Sequence, residues 1–290
     1  MKRFWILVLA VQLVICFAGK AVGEVIVSPP PENLDLSACL VWTLFDVNEG
    51  DAMLLECGGE SMLVDGGPKP FREQLYHALA QRGLTHLTYI LSTHFHDDHI
   101  DGIYYLFKEY GVTAEEYMHP YSDTQIRTHD LMKRAAAAAQ RLGIPLHRLW
   151  DGDKLTLGQA HIDVLRCTEF SNQNAKSLVL KVTFGKCTAL LCADIIGEAQ
   201  NWFAQTVPQE MLSSDLIKLP HHGITPAATA FLDAVDPAFA LLTTYPDKVT
   251  DNSIKQLNNR GIPYLLSGDG QVTCVTDGEN WYLYQELGVF

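Results

Sequence analysis

A chain of 290 residues, 48% of them hydrophobic, is long enough for one large domain or two small ones and can bury a sizeable core. Its formal net charge of −13 gives a surface that repels polyanions in bulk, which argues against a general nucleic-acid coat protein. A metal site would still supply positive charge locally.

Residues 1–23 read as an export signal, with an uncleaved N-terminal anchor as the rival reading. Lys2 and Arg3 precede a mostly apolar run from Phe4 to Phe17, which is short for a membrane helix. Ala21-Val22-Gly23 offers the small residues that a signal peptidase needs, so cleavage is expected before Glu24. The mature protein would then be secreted, periplasmic or at the cell surface, with no stable membrane span. Of seven cysteines, six would remain, mostly in apolar strand-like runs. Buried free thiols are expected rather than a disulfide framework. Residues 24–37, with Pro29-Pro30-Pro31, read as an extended spacer, and residues 38–290 as the functional domain.

Leu40 to Val47 and Ala52 to Cys57 read as strands joined by Asn48-Glu49-Gly50-Asp51; Ser61 to Gly67 reads as a third that leaves Asp65 at its end. Phe71 to Arg82 has helical spacing and stops at Gly83. A strand over Leu87 to Leu91 leads into Ser92-Thr93-His94-Phe95-His96-Asp97-Asp98-His99, and an amphipathic run from Ile100 to Tyr110 follows. Val112 to His119 predicts a short strand, and Ser122 to Leu142 one alanine-rich helix. Strands are then expected around Leu146, at Lys154 to Leu157, His161 to Arg166, Ser177 to Phe184, Cys187 to Ala193, Asp215 to Pro220 and Ala238 to Thr243. Helices are expected at Ala227 to Val235 and Ser253 to Arg260, with final strands to Tyr284. Two mixed sheets covered by helices, a four-layer α/β sandwich, fit this alternation.

The histidine stretch carries the chemistry. Two residues of a helix turn through about 200°, so His94 and His96 cannot share a helix face, but at a strand end both can point at one ion. Asp98 and His99 would sit at the helix N-terminus, where the dipole favours a carboxylate. Neutral imidazole and carboxylate are ligands that suit zinc and its neighbours. Downstream, Asp194 ends a buried strand where a ligand shared by two metals could sit, and His221-His222-Gly223 ends another. A lone strand-end aspartate is usually a cap or turn residue; the histidines on either side of it in sequence change that weighing. His77, His86, His119, His129, His147 and His161 are read as surface or satisfied core groups. Lys218 is either a solvated strand-end lysine or a group that neutralises a phosphate.

Five ordered segments carry a resemblance: Phe45 to Ala52, Val64-Asp65-Gly66-Gly67, Thr93 to Gly102, Ser177 to Leu180 leading to Asp194, and Leu219-Pro220-His221-His222-Gly223. The chain resembles the metallo-beta-lactamase superfamily, and within it the soluble hydrolase domain of ComEC-type competence DNA-uptake proteins. The resemblance implies a four-layer αββα sandwich over residues 38–290 and two divalent metal ions, zinc first and manganese as the alternative. It implies His94 and His96 on metal one, Asp98, His99 and one of His221 and His222 on metal two, and Asp194 bridging both. His222 is favoured as the ligand, with His221 contacting substrate, and the reverse order stays open. Asp65 would orient a ligand histidine. Relatives commonly supply a third histidine to metal one where this chain has Ser171-Asn172-Gln173-Asn174. Metal one is therefore expected to be weak and completed by an asparagine oxygen or water; Asn172, Asn174 and Lys218 are candidate substrate contacts.

The expected activity is hydrolysis by a metal-bound hydroxide, with Asp98 and His221 as catalytic residues. The preferred substrate is a phosphodiester, either nucleic acid or a cell-envelope diester; DNA is thus a candidate partner. A carbon-centred hydrolase, of lactonase or beta-lactamase type, is the alternative, and a non-catalytic binding module a third class. The sequence sets no oligomeric state.

Overall fold

The computed structural model describes residues 14–15 and 23–287. Its strands are Val14–Ile15 (β1), Glu24–Ile26 (β2), Leu40–Leu44 (β3), Met53–Cys57 (β4), Glu60–Val64 (β5), His86–Leu91 (β6), Thr113–His119 (β7), Leu146–Arg148 (β8), Lys154–Leu157 (β9), Ala160–Leu165 (β10), Val179–Phe184 (β11), Cys187–Leu191 (β12), Leu216–Lys218 (β13), Phe239–Leu242 (β14), Tyr264–Leu266 (β15), Gln271–Thr276 (β16) and Asn280–Glu286 (β17). The helices are Arg72–Gln81 (α1), Asp97–Lys108 (α2), Asp123–Thr128 (α3), Asp130–Arg141 (α4), Gly197–Thr206 (α5), Gln209–Leu212 (α6), Thr229–Val235 (α7) and Asp251–Arg260 (α8). One sheet runs β1-β2-β17-β16-β3-β4-β5-β6-β7-β8 and the other β15-β14-β13-β12-β11-β10-β9.

The period of two along a strand sorts the core into layers. Trp42, Leu55, Met62 and Val64 point between the sheets, against Ile162, Leu180, Val182 and Leu191. Their neighbours Leu54 and Leu63 point the other way and meet Leu75 and Leu79 of α1, Ile103 of α2 and Ala135 of α4. On the second sheet, Val179, Leu190, Ile217 and Ala240 face Phe203 of α5, Phe231 of α7 and Leu257 of α8. The result is the αββα sandwich. Each fully buried Leu, Val or Met contributes about 1.5–3 kcal/mol, so the inter-sheet layer carries much of the stability. Cys39, Cys57, Cys167, Cys187, Cys192 and Cys274 are buried free thiols. Among the described residues no helix is long and apolar enough to cross a membrane.

The export segment 1–23 lies outside the described residues except Val14–Ile15, which pairs antiparallel with β2, and Gly23. The spacer 24–37 begins inside the sheet, because Val25 is buried in the inter-sheet core and β2 runs parallel to β17. The alanine-rich helix is two helices. Ser122 and Gln125 form a capping box that opens α3, the backbone turns extended at His129, and α4 starts afresh at Asp130. The His129 ring stacks on Phe95, with centroids 3.7 Å apart at 22°, a long-range contact that helix propensity does not report. The helix α5, whose Ala199 and Phe203 are buried, was not anticipated.

Parallel pairing places the carboxyl ends of β5 and β6 side by side, and likewise those of β12, β13 and β14. Helix α2 is docked onto the turn after β5 at very close range. Gly66 N donates to His99 O at 2.6 Å and Gly102 N to Gly67 O at 2.9 Å. A Cβ on Gly102 would stand 1.8 Å from Gly66 O, so only glycine permits this approach.

Candidate metal centre

Strained backbone marks the strand ends around the predicted ligands. Asp65, Ala193, His221 and His222 have φ of 57°, 42°, 49° and 58°. Left-handed conformations cost non-glycine residues about 1–3 kcal/mol each and persist where the surroundings over-determine them. Here they turn the chain sharply at strand ends, so that side chains from both sheets face one point. His221 N donates to Ala193 O at 2.9 Å and ties the turn after β13 to that after β12.

One atom is the hub of the cluster. Asp194 Oδ2 lies 3.3 Å from His99 Nε2, 3.4 Å from His222 Nε2, 3.7 Å from His94 Nε2 and 3.9 Å from His221 Nε2. His94 Nε2 and His96 Nδ1 face each other at 3.1 Å, and Asp98 Oδ2 stands 3.1 Å from His222 Nε2. His94, His99, His222 and Asp194 are buried; Asp98 and His221 keep 29% and 31% of their side chains exposed.

Behind the imidazoles stand partners that fix their rings. His99 Nδ1 donates to Asp65 Oδ2 at 2.8 Å, and Asp65 also accepts from Thr93 N and Thr93 Oγ1 at 2.8 and 2.7 Å. His222 Nδ1 faces Asp51 Oδ1 at 3.2 Å and Thr243 Oγ1 at 3.0 Å. The Thr243 hydroxyl donates to Asp51 Oδ1 at 2.6 Å. Because the Nδ1 atoms are turned to these partners, the Nε2 lone pairs of His99 and His222 are aimed inward.

Electrostatics follow from this crowding. Burial opposes charge on His99 and His222, yet Asp194 beside both, with Asp65 at His99, holds their imidazoles up: His99 well above the usual range and His222 at about 10. Burial also opposes the Asp98 charge, but the His222 hydrogen bond and His99 pull its carboxyl down to about 2. Asp194 is held well below the carboxylate range by His222 and His99 despite burial. Burial and His99 push His94 the other way, to a neutral ring. In this cluster, protons fill places that a cation competes for.

The donor set fits metal ions. Two ligands about 2.0–2.1 Å from one tetrahedral ion are roughly 3.3 Å apart, and the separations above fall around that value. Among the described residues, His99 Nε2 is buried without a hydrogen-bond partner. Asp51, His99, Asp194 and His222 form one group with ligand atoms within 4.8 Å, and His94, His96 and Asp194 a second, so a binuclear centre with Asp194 shared is accommodated. The Asp51 carboxylate stands on the Nδ1 side of the His222 ring and the Asp98 carboxylate on its Nε2 side.

The structure thus brings together His94, His96, Asp98, His99, Asp194 and His222, with His221 at the rim and Asp65 behind His99. Other candidates land elsewhere. Lys218 is fully buried, with Nζ 2.5 Å from Asp51 Oδ2 and 2.9 Å from Ala193 O. It neither is solvated nor faces a substrate, because β13 is a central strand and the lysine points into the sandwich behind Asp194. Asn172 Oδ1 accepts from Asn174 N at 2.8 Å and Ala175 N at 3.4 Å, a local turn. Asn174 Oδ1 is buried without a hydrogen-bond partner among the described residues. His119 is buried, accepts from Tyr121 N at 3.2 Å and stands apart from both ligand groups. Asp51, read only as a turn residue, is the functional residue that sequence reasoning missed. Its side-chain partners Lys218, His222 and Thr243 lie 167 to 192 residues away, at the ends of β13 and β14, and the one available signal was its place in the Phe45 to Ala52 segment.

Beside His96 lies an open cavity of about 470 Å³, lined by Phe95, His96, Asp97, Asp101, His129, Asp130, Leu131 and Arg134. The Arg134 guanidinium is engaged by Asp130 at 3.0 Å.

Residues 46–238 match the family model of the metallo-beta-lactamase superfamily. No curated protein sequence matches the chain. Among solved structures, the metallo-beta-lactamase fold protein YhfI from Bacillus subtilis is similar at 15% identity and a TM-score of 0.52, over 78% of this chain and 96% of that one. A diphosphatase of the PhnP family is similar at 16% identity and a TM-score of 0.50, over 79% and 96%. CmlA, a diiron beta-hydroxylase from Streptomyces venezuelae, is similar at 14% identity and a TM-score of 0.53, over 85% of this chain and 55% of that one. At these identities the likeness is one of fold.

Proposed function

The chain belongs to the metallo-beta-lactamase superfamily of metal-dependent hydrolases, and from that premise we propose that it is an exported phosphodiesterase with a binuclear metal site. The observation that carries the hydrolytic reading is the convergence of four imidazole nitrogens on Asp194 Oδ2, with the half-exposed Asp98 carboxylate alongside. Two divalent ions, when bound, lower the pKa of a shared water toward ~7 and clamp the attacking and leaving oxygens of a displacement. His94, His96, Asp98, His99, Asp194 and His222 would hold them, zinc first and manganese as the alternative.

The protein's own groups then have separate tasks. Asp98 stays ionised at neutral pH, and its exposed edge accepts a hydrogen bond from the attacking water and orients it. Burial keeps the His221 imidazole below its usual range, so at neutral pH it is an uncharged donor at the rim, placed to meet a leaving oxygen. The ComEC-like segments support a phosphorus centre, and so does the likeness in fold to a PhnP-family diphosphatase. The cavity beside His96 supports a small diester over a nucleic-acid strand. It stacks Phe95 on His129 and carries three carboxylates against one engaged guanidinium, which disfavours a polyanion.

The test is hydrolysis of bis-p-nitrophenyl phosphate beside a lactone and a β-lactam, after chelation and restoration of zinc or manganese. Metal-dependent cleavage of the phosphodiester alone is expected. Cleavage of only the lactone or lactam would replace this reading with a carbon-centred hydrolase, and no cleavage despite bound metal would favour the binding module. Export is tested by the N-terminal sequence of protein recovered outside the cytosol, where a start at Glu24 is expected.

A further inference from the structure

Lys218 has no part in the chemistry above, yet it is built into the centre. Its side chain is wholly buried and its ammonium reaches three groups: Asp51 Oδ2 at 2.5 Å, Ala193 O at 2.9 Å and Asp194 Oδ1 at 3.8 Å. Asp51 in turn faces Nδ1 of His222 and accepts from Thr243. One cation therefore stands behind both the shared carboxylate and, through Asp51, a ligand imidazole.

Two features separate this arrangement from a filler ion pair. Asp194 is oriented so that Oδ2 meets all four imidazole nitrogens, while Oδ1 has no hydrogen-bond partner and looks toward Lys218. The carbonyl that receives the Lys218 proton belongs to Ala193, whose φ of 42° sets the direction in which Asp194 leaves its strand. For stability alone, an apolar pair of similar volume commonly does as well as a buried ion pair.

Building on the binuclear reading, we propose that Lys218 is a positioning residue: it draws Oδ1 of Asp194 to its own side, leaves Oδ2 turned to the imidazoles that would hold the ions, and locks Asp51 against His222. Lys218 touches neither substrate nor ion. It acts through the two residues it restrains.

The experiment compares wild type, Lys218→Met and the double variant Asp51→Asn/Lys218→Met. Ions bound per chain are measured by mass spectrometry, affinity by titration against a chelator, ligand geometry by the visible spectrum of the cobalt-loaded protein, and apo stability by Tm. Lys218→Met alone leaves the buried Asp51 carboxylate without the cation at its Oδ2, so a lower apo Tm is expected. The double variant removes both charges, and its apo Tm should return close to wild type. It should nevertheless bind ions about 10–100-fold more weakly, as when the groups behind metal ligands are removed, and show a changed cobalt spectrum. A double variant with wild-type affinity and spectrum would overturn the inference while leaving the binuclear reading intact. Wild type that binds no ion would overturn that reading and the inference with it.

Discussion

The two halves of the centre are unequally built. His99 and His222 are buried, and each ring has a carboxylate behind it, Asp65 in one case and Asp51 in the other. His94 has only the Thr93 hydroxyl at 3.1 Å on its Nδ1, and His96 stands half-buried at the mouth of the cavity. The loop of residues 171–177, where relatives commonly carry another histidine, folds its Asn172 oxygen back onto its own backbone. Retention of an ion depends on what holds a ligand as well as on which ligands are present. The His99/His222 half is expected to keep its ion when the His94/His96 half has lost its own.

Asp194→Ala should have the largest effect, because it removes the atom that both halves share. Metal analysis should find neither ion, and turnover should fall at least about 10³-fold, a loss of over 4 kcal/mol in transition-state stabilisation. Activity retained at the wild-type level would remove the site assignment. Gly102→Ala attacks one half selectively. The new methyl collides with Gly66 O and must push away the helix start that carries Asp98 and His99. A stability loss of about 3 kcal/mol or more is expected in urea unfolding, with the ion of the His99/His222 half weakened. Unchanged stability would mean that the close docking of α2 is wrong.

Asp65→Asn is subtler, since it keeps the shape and removes the charge behind His99. Chelator titration of wild type should release one ion well before the other; in the variant the tighter ion should weaken about 10–100-fold and the two steps draw together. Two unmoved steps would show that the carboxylates are not the cause of the asymmetry. The smallest effect is expected outside both halves, at His119. Burial, with Arg148 nearby, depresses its imidazole to about 4. Between pH 6.5 and 4 the unfolded chain binds the extra proton and the folded chain does not. This contribution to stability is therefore present above pH 6.5 and is lost as pH falls toward 4. His119→Gln should flatten the fall in urea midpoint between pH 7 and pH 5 in the metal-free protein, with ion content unchanged. Lost ions would bring His119 into the centre.

Legibility in the sequence tracks the distance over which each contact forms. The His94 to His99 stretch is local, so its strand-loop-helix setting was readable at once, and alternating apolar strands announced the layered fold. Asp194 was readable only by its company. Asp51 and Lys218 were not readable as a pair, because burial of a lysine in a central strand and the approach of the Asn48 to Asp51 turn are products of tertiary packing. The split of the 122–142 helix coincides with a ring stack between His129 and Phe95 that no local propensity encodes.

The turn after β13 runs through His221, His222 and Gly223 with φ of 49°, 58° and 78°, three successive residues in left-handed backbone. It is a wound spring, at a cost of about 1–3 kcal/mol for each non-glycine residue. Ions that bind only the folded form stabilise it by mass action, so they latch the spring. With the latch off, this turn is the place where amides of the native protein should exchange first and where a protease should gain entry. The lifetime of the protein would then rise and fall with the metal supply of its surroundings.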